Sequence, residues 1–261
     1  MKQRLISAMF LLPLLILLVI KGIPLYIGGV ILMCIALHEF YCAFENMDIY
    51  PVKELGYIYS VILLFGNIYQ WRSETFSLLL FVVFMVGMIY ILTQKRNILE
   101  ISITFSGIMY VCFCFNYIIN TIDYIDGGNI YVWLIFIIAF ATDTGAYFVG
   151  KSFGKKKLIP NISPNKTIEG SLGGVVCCVL FSLIFALIFR LDIGKVLVLS
   201  VFGSVFGQIG DLLASSIKRY VGIKDFGKLI PGHGGVLDRF DSVLLVAPYV
   251  YLVLLYFQHK L

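Results

Sequence analysis

Gly170-Ser-Leu-Gly-Gly-Val-Val-Cys-Cys-Val-Leu-Phe-Ser-Leu-Ile-Phe-Ala-Leu-Ile-Phe189 runs for twenty residues without a charge. As a helix rising about 1.5 Å per residue it is about 30 Å long, the thickness of the hydrocarbon core of a bilayer. Similar apolar runs of roughly 16 to 22 residues, long enough to cross as helix, recur at 5–20, 24–43, 55–71, 75–94, 98–119, 130–149, 196–217 and 238–257. With 170–189 they predict nine transmembrane helices, an all-α, polytopic integral membrane bundle. Composition agrees: 60% of residues are hydrophobic, 13% are charged and the mean hydropathy is +0.96. A soluble chain carries about a quarter charged residues. Secreted disulfide scaffolds, disordered tails and soluble nucleic-acid binders are thereby excluded.

The first run follows Lys2 and Arg4 like a signal peptide. No small-x-small cleavage site comes after it, and a second apolar run starts at Pro24, so it reads as an uncleaved span. The cysteines lie in or beside apolar runs, without the Cys-x-x-Cys and His spacing of a zinc site, and read as small hydrophobes. Orientation follows from the basic residues. With the N-terminus cytoplasmic, fifteen of the 20 Lys and Arg fall on the inside, and only Lys21, Arg72, Arg190, Lys195 and Lys260 fall outside. The C-terminus is then external, and the two longest cytoplasmic loops are 150–169 and 218–237.

Charge divides the chain into a membrane region without recognisable motif, 1–129, and a second region, 130–261. The first holds 7 basic and 8 acidic residues and the second 13 and 7, so anion handling belongs to the second. Asp143 and Asp211 each lie about two helical turns before a lysine (Lys151, Lys218), roughly 10 Å inside the boundary at helical rise. Acids at that depth cost a few kcal/mol and mark function by default. Asp211, Ser215 and Lys218 stack along one helix face, on a helix that Gly203, Gly207 and Gly210 make thin enough for close approach.

Beyond that helix come Lys224-Asp-Phe-Gly-Lys228, Pro231-Gly-His233-Gly234-Gly235 and Asp238-Arg239-Phe-Asp241. Glycines 232, 234 and 235 allow backbone N–H groups to turn around an anion. Lys218, Arg219, Lys224, Lys228 and Arg239 supply the charge that polyphosphate needs. Asp238 and Asp241 share a helix face and, with Asp211, offer the hard oxygens that Mg²⁺ accepts while phosphate and water complete its shell. His233 is read as a phosphate ligand or proton donor. In the other loop, Lys155-Lys-Lys157 reads as a topology determinant or anionic-lipid contact, whereas Lys166, Thr167 and Glu169 open the following span. His38 and His259 read as interfacial residues, and Glu39 has no role in this reading.

The 27 positions from Ser215 through Asp241 resemble, without departure, the signature of the phosphatidate cytidylyltransferases, also called CDP-diacylglycerol synthases. Asp143-Thr-Gly-Ala-Tyr147 and Ser163-Pro-Asn-Lys166-Thr167-Ile-Glu169-Gly170 are similar to a second motif region of that family. The resemblance covers about 130–257; the first five spans match only in character. It implies an integral membrane enzyme that joins CTP to phosphatidic acid, releases pyrophosphate and requires Mg²⁺, as one cation or two. It also implies a homodimer, in a bacterial cytoplasmic membrane with the site facing the cytoplasm. The family's metal-binding acids fall on Asp211, Asp238 and Asp241. Lys218, Arg219, Lys224, His233 and Arg239 are assigned to phosphate handling, and Asp143, Lys166, Thr167, Glu169, Ser215, Gly234 and Gly235 to substrate binding.

Two other classes compete. CDP-alcohol phosphotransferases carry an Asp-Gly-x-x-Ala-Arg run, which is missing. An ion-coupled transporter using Asp143 and Asp211 as a relay would show internal repeats or matched broken helices, and neither is visible.

Overall fold

The structure, a computed structural model, describes residues 18–229 and 234–259. Among these residues the chain is nearly all helix. The helices are α1 (Ile23–Glu45), α2 (Lys53–Ile68), α3 (Ser73–Leu92), α4 (Ile98–Tyr124), α5 (Gly128–Phe153), α6 (Ile168–Phe189), α7 (Ile193–Tyr220) and α8 (Leu237–His259). Seven of the eight are long and apolar enough to cross a membrane; the exception is α2. At 16 residues, α2 is about 24 Å long. It stops where Gln70 takes a positive φ of 51° and donates its side-chain amide to the Asn67 carbonyl, at 2.9 Å. Most of the run expected at 5–20 lies outside the described residues.

The chain divides into two compact units. One takes in the described residues up to Ile119 together with Val221–Arg239; the other takes in Asn120–Tyr220 and the described part of Phe240–Leu261.

The first unit is stitched by buried polar groups, as expected where packing in lipid lacks a hydrophobic drive between helices. The Tyr41 hydroxyl donates to the Thr104 carbonyl at 2.8 Å, and the Thr104 hydroxyl accepts from the Val52 N–H at 2.8 Å. The side-chain amide of Asn67 donates to that of Asn116 at 2.8 Å. Asn97 and Glu100 form a reciprocal capping box that starts α4. A π-helical turn over Ile108–Phe113 interrupts that helix.

The second unit packs through small residues. Gly170, Gly174, Cys178, Ser182 and Ala186 recur every four residues and are the buried stripe of α6. Leu172, Val176, Leu180, Ile184 and Leu187 cover other faces of the helix and are exposed, as a lipid-facing surface is. The loop expected at 150–169 is shorter than its sequence suggested. Helix α5 continues to Phe153, and a two-stranded antiparallel hairpin follows, β1 (Lys157–Ile159) with β2 (Ser163–Thr167). The polarity that reads as loop thus belongs to a helix end and a hairpin.

Candidate active site

Helices α5, α6 and α7 and the hairpin, all of the second unit, enclose a cavity of roughly 510 Å³. Asp143, Lys151, Lys166, Thr167, Gln208 and Asp211 are among its lining residues. The sequence places an acid in the C-terminal half of α5 and another on α7, and the helices bring both to one space.

Lys166, delivered by β2, makes an ion pair with Asp211. Ser215 lies one turn further along α7 and donates its hydroxyl to Asp211 at 3.4 Å. Asp143 and Asp241 are joined through Ser242: its hydroxyl donates to Asp143 at 2.8 Å and its backbone N–H to Asp241 at 2.8 Å. Asp143, Asp211 and Asp241 lie close enough for their charges to bear on one another, with Lys166 acting on Asp143 and Lys218 on Asp241. Lys218 is buried, at 9% exposure, on the same helix as Asp211. Three converging carboxylates against two lysines leave an excess of hard anionic oxygen.

Close approach of backbone holds this arrangement. A Cβ at Gly210 would lie 2.5 Å from the Asp241 carbonyl oxygen, and those at Gly203 and Gly207 would meet Ile138 and Val246 at 3.0 and 3.3 Å. The three glycines of α7 therefore face packed neighbours. Gly210 sits against the backbone that carries one acid and one residue before another.

Thr167 and Glu169 begin α6. The Thr167 hydroxyl caps the helix by accepting from the Gly170 N–H at 3.1 Å, and the residue also lines the cavity. Glu169 accepts from the backbone N–H groups of Lys155 and Lys156 at 3.0 and 3.2 Å, tying the segment that leads into β1 to the helix start. Arg219 lies in the last turn of α7 beside Lys218.

Lys224, Gly234, Gly235, Asp238 and Arg239 belong to the first unit. There Asp238 accepts from the Phe226 N–H at 2.8 Å and the Gly235 N–H at 2.9 Å, so its carboxylate closes the glycine-rich loop. Gly234 adopts φ +83°, a left-handed conformation that favours glycine. The Nε of Arg239 is buried and has no hydrogen-bond partner among the described residues. His233, Pro231 and Gly232 lie outside the described residues.

Reading the sequence missed several residues that the structure brings to the acids. Ser242 is one; its position directly after Asp241 was the available signal. Another is Gln208, whose carbonyl accepts from the Ser171 hydroxyl across α6 and α7; it stands one turn before Asp211, on the face that Ser215 and Lys218 extend.

The residues present suit a divalent cation of the Mg²⁺ type. Among the described residues no three His, Cys, Asp or Glu form a ready-made cage. Mg²⁺ does not ask for one: it binds through one or two carboxylates and takes the rest of its shell from substrate phosphates and water. Asp211 and Asp241 fit that requirement.

The chain is similar to known proteins over nearly its whole length. The model of the cytidylyltransferase family matches residues 2–257. A phosphatidate cytidylyltransferase of Staphylococcus haemolyticus (strain JCSC1435) is 35% identical over 265 residues, covering 98% of this chain and 99% of that protein. One of Bacillus subtilis (strain 168) is 43% identical over 161 residues, 61% of this chain; the match spans only 60% of that protein. One of Staphylococcus epidermidis (strain ATCC 12228 / FDA PCI 1200) is 39% identical over 168 residues, covering 63% and 64%.

Proposed function

The chain belongs to the cytidylyltransferase family, and on that footing we propose that it transfers the cytidylyl group of CTP to phosphatidic acid, giving CDP-diacylglycerol and pyrophosphate. One observation carries the reading: a cavity at the end of membrane helices lined by Asp143, Lys166 and Asp211, in which Lys166 pairs with Asp211, while Ser242 ties Asp143 to Asp241. Such a place can receive a phosphate from the lipid side and a polyphosphate from the water side.

The lipid phosphate is already ionised near neutral pH, so one of its oxygens attacks the α-phosphorus of CTP without a strong general base. The bond from the α-phosphorus to the bridging oxygen breaks, and pyrophosphate leaves with that electron pair. The protein's part is to hold two polyanions in line and meet the charge that develops. Asp211 and Asp241 would hold Mg²⁺, and Asp238 is assigned to the same role from its place in the motif. When bound, the cation neutralises phosphate charge and stabilises the departing pyrophosphate. Lys166, Lys218 and Arg219 orient phosphate oxygens, and Lys224, His233 and Arg239 are assigned the same role from their places in the motif. The buried Nε of Arg239 is a donor suited to an anion. Ser242 fixes Asp143 and Asp241 relative to each other, while Thr167, Glu169, Ser215, Gly234 and Gly235 shape the surfaces that substrate meets.

Direct transfer makes a testable demand. Exchange of labelled pyrophosphate into CTP should require CDP-diacylglycerol, because pyrophosphate must attack the lipid product to regenerate CTP. His233→Ala should slow turnover by about a hundredfold, the size of a lost proton donor or hydrogen bond to the leaving group. Lipid-free exchange in the wild type, lost in His233→Ala, would mean a cytidylyl-enzyme on that histidine and end the direct-transfer reading.

The same proposal places the protein as a homodimer in a bacterial cytoplasmic membrane, the motif loops facing the cytoplasm. The basic-residue asymmetry supports the orientation and the bacterial relatives the membrane, while the homodimer rests on the family resemblance alone. Nine crossings follow if 5–20 and α2 both span. Single cysteines at Lys156 and Lys228, in a background without native cysteines, should react with an impermeant thiol reagent only after the inner face is opened. Labelling of both in intact cells would reverse the orientation.

A further inference from the structure

Glu39 sits on α1, in the half of the chain that carries no motif, and is 7% exposed. A carboxylate buried in a membrane helix needs partners to offset its lost hydration. Its partners are two successive backbone N–H groups: Val236 donates to Oε1 at 3.0 Å and Leu237 to Oε2 at 2.8 Å. Leu237 is the first residue of α8. The first N–H groups of a helix have no acceptor within it, and negative charge is favoured there. Glu39 thus does for α8, from 198 residues away in sequence, what a neighbouring Ser or Asp does for an ordinary helix.

The loop is cut to receive it. Gly227 and Gly235 have no positive φ, so neither backbone demands glycine for its own conformation. The space around them does. A Cβ at Gly235 would fall on both carboxylate oxygens of Glu39, and one at Gly227 on its Oε1. Beside Gly227, the ring of Phe226 stacks on that of Phe40, the residue after Glu39, with centroids 6.5 Å apart. Asp238 grips the same loop by accepting from Phe226 and Gly235. Four backbone N–H groups between 226 and 237 are therefore held by two carboxylates, one inside the motif and one outside it.

We infer that Glu39 is a positioning residue for the transfer reaction: it seats the glycine-rich loop and the first turn of α8, and so sets where the motif's charged groups stand. Its effect on turnover rests on the cytidylyl transfer proposed above; its effect on the loop does not.

The test uses the full-length protein in lipid–detergent micelles. Glu39→Gln keeps the shape, but its amide NH₂ must face one of the two backbone N–H groups. Hydrogen exchange read by mass spectrometry should accelerate at Val236 and Leu237 by at least about tenfold, the mark of local opening, with α6 unchanged. Turnover should fall by about 10- to 100-fold, as when a supporting partner of a catalytic group is removed, in kcat more than in KM for CTP. Gly235→Ala should cost at least about tenfold more in the wild type than in Glu39→Asp, whose shorter carboxylate leaves room for the methyl group; such coupling marks direct contact. Unchanged exchange at Val236 and Leu237, or costs for the two positions that simply add, would overturn the inference. Should Glu39→Gln fail to fold, Gly227→Ala displaces the same carboxylate and is read by the same exchange. A wild type that makes no CDP-diacylglycerol would defeat the functional reading, and the exchange result would still decide the role of Glu39.

Discussion

Asp211→Asn and Asp241→Asn should each lower turnover by about a thousandfold or more, roughly 4 kcal/mol of transition-state stabilisation at 1.36 kcal/mol per decade. Both substitutions keep the side chain's shape. An asparagine at 211 still accepts from Ser215, and one at 241 still accepts from the Ser242 N–H, so the local hydrogen bonds survive. What goes is negative charge. At 211 the ion pair with Lys166 goes too, leaving a lysine without its counter-charge in the cavity. If the carboxylates hold Mg²⁺, the loss lies in the cation and the phosphate charge it screens, and raising Mg²⁺ should recover only part of it. Unfolding of each variant in detergent should stay close to that of the wild type. Near-normal turnover across a Mg²⁺ titration in either variant would remove that residue from the ligand set.

Lipid is the reason much of the fold was legible. A helix facing hydrocarbon must be apolar nearly all round, so its length shows as an uninterrupted run. Residues 170–189 became Ile168–Phe189, and 238–257 became Leu237–His259. Helix ends were less legible, because a helix that leaves the membrane keeps its hydrogen bonds while its side chains turn polar. Helix α5 runs through Lys151 to Phe153 for this reason. The hairpin of β1 and β2 was not legible at all. Its strands, of three and five residues, have no alternation to read, and their pairing is a tertiary matter between polar stretches.

The site divides the same way. Asp143 and Asp211 stood out because an acid at membrane depth is costly, and the structure brings them to one cavity. Lys166 stood out through the motif it shares with Thr167 and Glu169, but nothing in its sequence neighbourhood names Asp211 as its partner. Ser242 was hidden because a serine beside an aspartate has no distinctive pattern. Glu39 was harder still. Its partners are backbone N–H groups, which every residue but proline carries, so no residue type in the sequence points to them.

The most direct measurement of the central claim is transfer of label from CTP to lipid by the purified full-length protein with Mg²⁺. With label in the cytidine, phosphatidic acid should make radioactivity chloroform-extractable, with one pyrophosphate released per cytidylyl group transferred. With label in the γ-phosphate, all of it should stay in the aqueous phase, since only the α-phosphorus joins the lipid. Diacylglycerol in place of phosphatidic acid should give no product, because it lacks the attacking phosphate oxygen, and Asp211→Asn should give almost none. Cytidine label that stays in water in the presence of phosphatidic acid, or γ-phosphate label that enters the lipid phase, would contradict the account.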